Sequence, residues 1–261
     1  MAQAIAGGLL EKGFQRTQLA AVEPLAEMRE RLARRFGMRA AANAAEAAPL
    51  GSLVVMAVKP QQMREAAAAL RPHLNGQLVL SIAAGIRLSD LSRWLGGYRR
   101  LARCMPNTPA LIGQGMSALY CMPDVEEPLQ RLAVQVLEAV GKVILVQDEA
   151  LLDPVTAVSG SGPAYVFLFI EAMQQAAREL GLSVEQARSL AIQTFAGAAQ
   201  LAAQSAEDVG ELRARVTSKG GTTERALASL QADRVQEAIV RAIRAANERA
   251  KELGDELGRD T

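Results

Sequence analysis

Short apolar runs alternate with amphipathic segments through the first half of the chain. The run Leu53–Val58 is apolar at every position, as in a parallel strand that is buried on both faces. The pattern predicts strands at Gln18–Val22, Leu53–Val58, Leu78–Ile82, Arg100–Cys104, Ser117–Tyr120 and Val143–Val146. It predicts helices at Pro24–Phe36, Gln61–Leu70, Leu88–Trp94 and Glu127–Val140. This alternation indicates a Rossmann-type, doubly wound α/β sheet with helices on both faces.

From Glu149 onward the strand pattern stops and only helical periodicity remains. The helices predicted there are Pro163–Leu180, Val184–Ala203, Thr222–Leu230 and Arg234–Leu257. We therefore predict a dinucleotide-binding domain over residues 1–148 and an all-α substrate and dimerisation domain over residues 149–261. Such a pair suits a cofactor on the first domain and a substrate in the crevice beside it. Two helical stretches, 163–170 and 239–246, are apolar beyond one stripe. They predict either contact with a second subunit or a thick internal core.

Composition removes several classes of function. Half of the 261 residues are hydrophobic, and the net charge is +1 without a run of like charges. Nucleic acid and anionic membranes are therefore not expected as partners. No secretory signal is visible, and the apolar run Ala164–Ile170 is too short to span a bilayer. We expect a cytoplasmic protein in which Cys104 and Cys121 form no structural disulfide. With His73 as its only histidine, the chain is not expected to bind a metal.

The segment Thr217–Leu227 carries the most specific chemistry, and we call it the Gly-Gly segment. It reads Thr-Ser-Lys-Gly-Gly-Thr-Thr-Glu-Arg-Ala-Leu, with a helical pattern that starts directly after the glycines. Backbone N–H groups at a helix start converge on one point, where the helix dipole favours negative charge. The hydroxyls of Thr222 and Thr223 add neutral hydrogen-bond donors. The pattern indicates a pocket for a small carboxylate; the alternative is a turn and helix cap without a ligand.

The beginning of the chain departs from a Rossmann-type half. Such a half begins with a strand and a Gly-rich turn that precede its first helix. Residues 1–10 already read as that helix, and no Gly-x-Gly-x-x-Gly motif occurs in the chain. We therefore expect the first strand to be missing and hypothesise that Met1 is an internal methionine. The coding DNA should then contain an in-frame apolar strand and a Gly-rich turn upstream of Met1. A stop codon directly upstream would refute this.

Six stretches, taken in their order along the chain, resemble the pyrroline-5-carboxylate reductases. They are Met1–Leu9, Ala57–Gln61, Ser81–Gly85, Arg103–Ala110, Val158–Tyr165 and the Gly-Gly segment. The resemblance covers essentially the whole chain, and it implies the reduction of a cyclic imine carboxylate to L-proline, the final step of proline biosynthesis. One departure is Lys219, where the family usually has proline; we expect this side chain to point into solvent.

The resemblance implies specific residues on the substrate side. The carboxylate would be bound by backbone N–H groups of the stretch from Ser218 through Gly220 and Gly221 to Thr222. Thr223 would be the catalytic residue, with its hydroxyl beside the imine nitrogen. Because a threonine hydroxyl is a poor general acid by itself, we expect it to orient the ring or to relay a proton from water.

The resemblance also implies residues that bind the cofactor, which would be NADPH or NADH. They are Asn43, Ala57, Val58, Lys59, Pro60, Ala83, Ala84, Gly85, Asn107 with its neighbour Thr108, and Glu149. Asn107 could instead be only a helix cap, and Glu149 only a charge at a helix start. Glu23 ends the second expected strand of the fold, where an acid usually favours NAD. Pro24 follows it and no basic residue adjoins it, yet the family tends to use NADPH. We therefore leave the cofactor as NADPH or NADH and favour NADPH on the resemblance alone.

The family forms a homodimer through its helical domain, and such dimers commonly assemble into a decamer. Two rival functions remain at this point. A 3-hydroxyacid dehydrogenase would share the two domains, but it would need a catalytic lysine in a helix of the second domain, where Lys251 is poorly placed. A non-catalytic binding protein, or an inactive truncated form of the reductase, would account for the missing Gly-rich turn.

Overall fold

A computed structural model describes residues 1–259 of the chain. The strands are β1 (Ala20–Val22), β2 (Arg39–Ala41), β3 (Leu53–Met56), β4 (Leu78–Ser81), β5 (Leu101–Met105), β6 (Gly115–Cys121) and β7 (Gly141–Leu145). The helices of the first half are α1 (Ala2–Glu11), α2 (Ala26–Phe36), α3 (Ala44–Ala47), α4 (Met63–Leu70), α5 (Leu88–Trp94) and α6 (Glu127–Glu138). They are followed by α7 (Leu152–Val155), α8 (Gly162–Glu179), α9 (Val184–Gln204), α10 (Val209–Arg215), α11 (Thr222–Ala232) and α12 (Val235–Leu257).

The strands form two sheets. β1 and β2 pair in parallel, and the larger sheet has the order β3-β4-β5-β6-β7. Its pairs are parallel except β5 with β6, in which Arg103 lies opposite Tyr120. Within residues 1–259 no strand hydrogen-bonds to both sheets. The predicted fold class, a Rossmann-type α/β sheet followed by an all-helical region, is confirmed.

The middle strands β4 and β5 of the larger sheet are buried on both faces. β3, whose apolar run predicted full burial, is fully buried only at Met56, and the edge strand β7 is largely exposed. Along β4, Val79 packs into one cluster with Met63 of α4 and Leu91 of α5. Its neighbours Leu78 and Leu80 pack on the opposite face, where α6 covers them. The alternation follows the two-residue period of a strand. Each of these fully buried side chains contributes roughly 2 kcal/mol relative to exposure.

The small residues of α1 allow a close approach to a neighbouring segment. A Cβ atom on Gly8 would collide with the backbone carbonyl of Ala139 and the side chain of Val140. The helix therefore packs closely against the segment that follows α6, and its cluster also contacts Leu53 and Val55 of β3. Ile5 and Leu9 complete this small cluster.

The chain divides into two compact units. The first contains residues 1–161 together with the end of α12 from Ala246 onward, and the second contains Gly162–Ala245. The predicted boundary after residue 148 lies where the short segment Glu149–Leu151 begins. The compact division comes after a further turn of helix, because Leu152–Gly160 pack on the first unit through residues such as Leu152 and Ala157, both fully buried.

The second unit is helical and leaves much apolar surface uncovered within the chain. No residue of α8 is buried, and Phe167 and Leu168 are 63% and 64% exposed. Inside the unit α8 packs on α9, with the rings of Phe169 and Phe195 6.4 Å apart. By length and composition alone the helical stretch Glu149–Glu179 could cross a membrane, and 6% of its most apolar window is buried. This stretch is longer than the run of seven apolar residues considered in the sequence, since it includes the small and weakly polar residues around that run.

Both cysteines are free thiols. Cys104 lies in the cluster between the sheet and α6, and burial raises its pKa to about 12. Burial likewise raises the pKa of Cys121 to about 11. Both thiols therefore stay protonated near neutral pH, and this makes them poor nucleophiles and metal ligands.

Candidate active site

The residues predicted to bind a cofactor follow the carboxyl ends of three parallel strands. Ala57–Pro60 follow β3, Ala83–Gly85 follow β4 and Asn107 follows β5. Because β3, β4 and β5 are successive parallel neighbours, these residues share one edge of the sheet. Ligands of open α/β sheets bind at this edge. Val58 and Lys59 are exposed there, and Pro60 opens a short 3-10 turn.

Gly85 has a packing role that the sequence did not reveal. Its φ of +73° favours glycine. A Cβ atom there would lie 2.8 Å from the Cδ1 atom of Leu257 and 3.4 Å from the Cβ atom of Leu253. The end of α12 therefore packs over the loop that follows β4. Asp255 adds an ion pair of 2.6 Å to Arg87 in the same loop.

Asn107 is held on two sides. Its Oδ1 atom accepts a hydrogen bond from the backbone N–H of Met116 at 2.9 Å. Its Nδ2 atom donates to the carbonyl and hydroxyl oxygens of Ser159, at 3.3 and 3.2 Å. Ser159 belongs to a five-residue π-helix, Thr156–Gly160, a geometry that is frequent at functional sites. The side chain of Asn107 thus has one fixed orientation. Its place beside a nicotinamide stays a prediction.

Glu149 joins three separate elements. Its Oε1 atom accepts from the Nη1 atom of Arg103 on β5 at 3.0 Å and from the backbone N–H of Leu88, the first residue of α5, at 2.8 Å. Arg103 is only 5% exposed, and a buried guanidinium needs a charged partner. The Oδ1 atom of Asp153 lies 4.0 Å from the Nη2 atom of Arg103. Glu149 therefore has a structural role, which sequence reasoning missed, and its predicted contact with a cofactor is untested.

Asn43 caps the short helix α3. Its Oδ1 atom accepts from the backbone N–H of Glu46 at 2.9 Å, and its Nδ2 atom donates to the carboxylate of the same residue at 2.9 Å. Both ends of the amide are thereby used inside the protein. A contact with adenosine would have to replace or share one of these bonds, so the cofactor-binding role of Asn43 remains a prediction.

The loop that follows β1 contacts a basic side chain, Arg29. No basic residue adjoins Glu23 in the sequence, yet the guanidinium of Arg29 lies against the same loop. Its Nη1 atom donates to the carbonyl oxygens of Glu23 and Pro24, at 2.9 and 2.6 Å. The carboxylate of Glu23 accepts from the backbone N–H of Leu25 at 3.0 Å. The turn thus places the guanidinium of Arg29 on the backbone carbonyls of this loop and not on the carboxylate of Glu23.

The Gly-Gly segment forms a tight turn into α11. Gly220 has a φ of +75°, so the turn requires glycine at this position. The N–H of Gly221 donates to the carbonyl of Ser218 at 3.0 Å. The N–H of Gly220 donates to the carboxylate of Glu224 at 2.7 Å. Two of the predicted donors are therefore used within the segment itself, and Glu224 is a residue that sequence reasoning missed.

The first turn of α11 retains free donors. Gly221 provides no side-chain cap, and the first intrahelical bond runs from Arg225 to the carbonyl of Gly221. The backbone N–H groups of Thr222, Thr223 and Glu224 take no acceptor from the described part of the chain. The side chain of Thr223 is half-buried. Free N–H groups at a helix start can bind an anion. Of the predicted donors Ser218 to Thr222, Gly220 and Gly221 are already bonded within the segment, so binding of a substrate carboxylate here stays a prediction. Lys219 is exposed, as expected for a solvated side chain.

The donor set suits a dinucleotide and a small carboxylate better than a metal. At the sheet edge it consists of small side chains, backbone groups and one amide, as a dinucleotide requires for a close approach. Across residues 1–259 no group of three or more His, Cys, Asp or Glu side chains has the proximity that a metal ion needs.

Comparison with known families assigns both parts of the chain. Residues 149–253 match the family model for pyrroline-5-carboxylate reductase dimerisation. Residues 1–85 match the model for NADP oxidoreductases that are coenzyme F420-dependent.

Full-length relatives agree with these matches. The chain is 46% identical to a pyrroline-5-carboxylate reductase of Pseudomonas aeruginosa, over 99% of this chain and 95% of that protein. A reductase of Vibrio alginolyticus is 39% identical over 97% of this chain and 94% of its own length. The solved reductase of Coxiella burnetii superimposes with a TM-score of 0.92 at 36% identity, over 97% of this chain and 94% of that one. A Plasmodium falciparum reductase that was solved with NADP bound gives a TM-score of 0.85 at 28% identity, over 97% of this chain and 94% of that one. The chain belongs to the pyrroline-5-carboxylate reductase family.

Proposed function

We propose that this enzyme reduces 1-pyrroline-5-carboxylate to L-proline with NADPH as the hydride donor. The observation that carries the proposal is the first turn of α11, which has unbonded backbone N–H groups and contains Thr223, in a chain that belongs to this reductase family. The substrate has one carboxylate and one imine, and these need an anion site and a neutral donor. The Gly-Gly segment offers both within a few residues.

Recognition of the carboxylate rests on backbone groups. The N–H groups of Thr222, Thr223 and Glu224 point out of the helix start, where the helix dipole adds positive potential. The N–H of Gly220 becomes a further donor once Glu224 releases it. Ser218 and Gly221 shape the turn through their mutual hydrogen bond.

Thr223 positions the imine for the chemical step. When bound, the reduced nicotinamide would supply a hydride for the imine carbon, and the imine nitrogen would take up a proton to become the amine of proline. The neutral hydroxyl of Thr223 can hydrogen-bond the nitrogen and pass it a proton from water. A charged donor here would also bind the carboxylate and misplace the ring. Fixing the ring in reach of the hydride lowers the barrier through orientation.

The cofactor is assigned to the first unit. Ala57–Pro60 and Ala83–Gly85 would line its ribose and diphosphate along the edge of the sheet, and Asn107 would orient the nicotinamide. Its double hydrogen bonding to Ser159 and Met116 supports this, because an amide with a fixed direction can select one face of a ring. Asn43 and Glu149 would act nearer the adenosine and the unit boundary.

A second copy of the chain is the proposed partner for the exposed apolar face of α8. Phe167 and Leu168 lie on this face, and the family model that matches here is named for dimerisation. A bilayer would satisfy the same apolar surface. Association in detergent-free buffer distinguishes the two, because a membrane helix would precipitate or require lipid. Assembly into a decamer, and residence in the cytoplasm, are further expectations of the proposal.

Substitution of Thr223 tests the proposed function. We expect Thr223→Ala to lower kcat by about 10²-fold, the usual range for losing a positioned donor, and Thr223→Ser to retain part of the rate. The assay follows NADPH oxidation with 1-pyrroline-5-carboxylate. Thr194→Ala, an exposed change on α9, is the control and should leave kcat unchanged. Full activity of Thr223→Ala would remove Thr223 from the mechanism. Absence of turnover in every form would favour a binding protein.

A further inference from the structure

The loop between β1 and α2 carries a positive charge that the catalytic account does not use. Arg29 lies in the first turn of α2, and its Nη1 atom is bound by the carbonyls of Glu23 and Pro24 at the end of β1. These two bonds fix the guanidinium at the carboxyl end of the strand. Arg29 is half-buried, so its side chain is held against the loop.

Within the described residues 1–259, no ion pair neutralises the charge of Arg29. Among residues 1–259 no carboxylate lies within salt-bridge distance of its guanidinium. On the same helix Arg34 pairs with the carboxylate of Glu30 at 3.1 Å, whereas Arg35 donates to the neutral amide of Gln3. A guanidinium with only neutral acceptors keeps its attraction for an anion, and its planar fork suits a phosphate group.

Glu23 is turned back into the loop. Its Oε1 atom accepts the backbone N–H of Leu25 at 3.0 Å. In a dinucleotide fold an acid at this place binds the ribose hydroxyls of NAD, whereas a nearby arginine accommodates the additional phosphate of NADP. The chain places both groups at the end of β1, with the base fixed by two bonds and the acid partly engaged by a backbone donor.

We propose that Arg29 binds the 2′-phosphate of NADPH and is the residue that sets the cofactor preference, with Glu23 acting against it. This inference rests on the proposed function, since it assigns the adenosine half of the cofactor to the end of β1. The phosphate gains charge-assisted hydrogen bonds from the guanidinium, and the carboxylate of Glu23 lowers that gain by like-charge repulsion. The preference is therefore the balance of two opposite charges in one loop.

Binding of nucleotide fragments tests the inference without turnover. Titration calorimetry of the full chain with adenosine 2′,5′-bisphosphate and with 5′-AMP isolates the contribution of the 2′-phosphate. We expect Arg29→Leu to lower the affinity for the bisphosphate by about tenfold or more, which is the size of one charge-assisted hydrogen bond. The affinity for 5′-AMP should not change. Glu23→Gln should raise the affinity for the bisphosphate several-fold, because it removes the like-charge repulsion. The loop should be preserved, since glutamine still accepts the N–H of Leu25. Arg31→Leu, an exposed change of the same charge on α2, is the matched control.

The outcomes separate this inference from the proposed function. Equal effects of Arg29→Leu and Arg31→Leu, or equal losses for both nucleotides, would overturn the role of Arg29. So would a native chain that does not prefer the bisphosphate over 5′-AMP. If Arg29→Leu fails to fold, Glu23→Gln decides alone, and an unchanged affinity for the bisphosphate refutes the proposal. Reduction of 1-pyrroline-5-carboxylate by the native chain would survive any of these failures, and its absence would not alter the fragment affinities.

Discussion

At the scale of single residues, the Gly-Gly segment contains a carboxylate of its own, the same chemical group through which the substrate is proposed to bind. The carboxylate of Glu224 accepts the N–H of Gly220 at 2.7 Å, and a substrate carboxylate would seek the same kind of donor. An acid in the first turn also stabilises the helix dipole, by roughly 0.5 kcal/mol. Glu224 thus orders the Gly-Gly segment, and it would compete with a substrate carboxylate for the N–H of Gly220. Repulsion between the two carboxylates should weaken substrate binding.

Neutralising Glu224 should therefore improve binding. Glu224→Gln retains an acceptor for Gly220 but removes the charge, so we expect the KM for 1-pyrroline-5-carboxylate to fall several-fold with little change in kcat. Steady-state kinetics and the affinity for proline measure this. Glu237→Gln, an exposed change at the start of α12, is the control for net charge. A KM that rises or stays the same would show that Glu224 does not compete with substrate.

At the scale of elements, one carboxylate connects the edge of the sheet to the segment that leads to the helices. Glu149 binds Arg103 of β5 and the first N–H of α5, and it begins the short segment that precedes α7. The loop after β4 and the loop after β5 both carry predicted cofactor residues. Holding their neighbours with one side chain fixes the spacing of the two loops before any ligand arrives.

Removing that carboxylate should be costly. We expect Glu149→Leu to lower the free energy of unfolding by about 3 kcal/mol, because it leaves the buried Arg103 without its nearest partner. Glu149→Gln should cost less, since it still accepts both hydrogen bonds. Urea unfolding measures both. Asp124→Asn, in the exposed pair with Arg99, should cost much less than Glu149→Leu, because solvent screens that pair. Similar losses for the two pairs would mean that burial does not strengthen the Glu149 connection.

At the scale of the whole molecule, periodicity predicted the long elements and missed the short ones. β4 and α5 lie where the apolar pattern placed them, since tertiary packing there follows the pattern. β2 escaped because it has only three residues and begins with arginine, and α10 is too short to show a repeat. Most of the predicted site residues were identified from motifs at strand ends. Ser159, Glu224 and Arg29 were not predicted, because each acts through a contact that a turn creates.

The uncovered helices make a prediction about assembly. We expect the native chain to sediment at no less than twice its mass of 27.8 kDa. Leu168→Asp, on the exposed face of α8, should dissociate it, because a buried charge in an apolar interface is unfavourable. Ile144→Asp on the edge strand β7 changes a comparably exposed residue of the first unit and should preserve the dimer. A native monomer, or a Leu168→Asp variant that still dimerises, would contradict the assignment of this face.

Hydride transfer to the imine carbon is the central step of the proposed reaction. Incubation of the native chain with 1-pyrroline-5-carboxylate and NADPH deuterated at the transferring position of the nicotinamide, followed by mass spectrometry, measures this directly. We expect proline that carries one deuterium at the former imine carbon, in an amount equal to the NADPH consumed. Unlabelled proline, or NADPH that stays unconsumed in the presence of substrate, would contradict it.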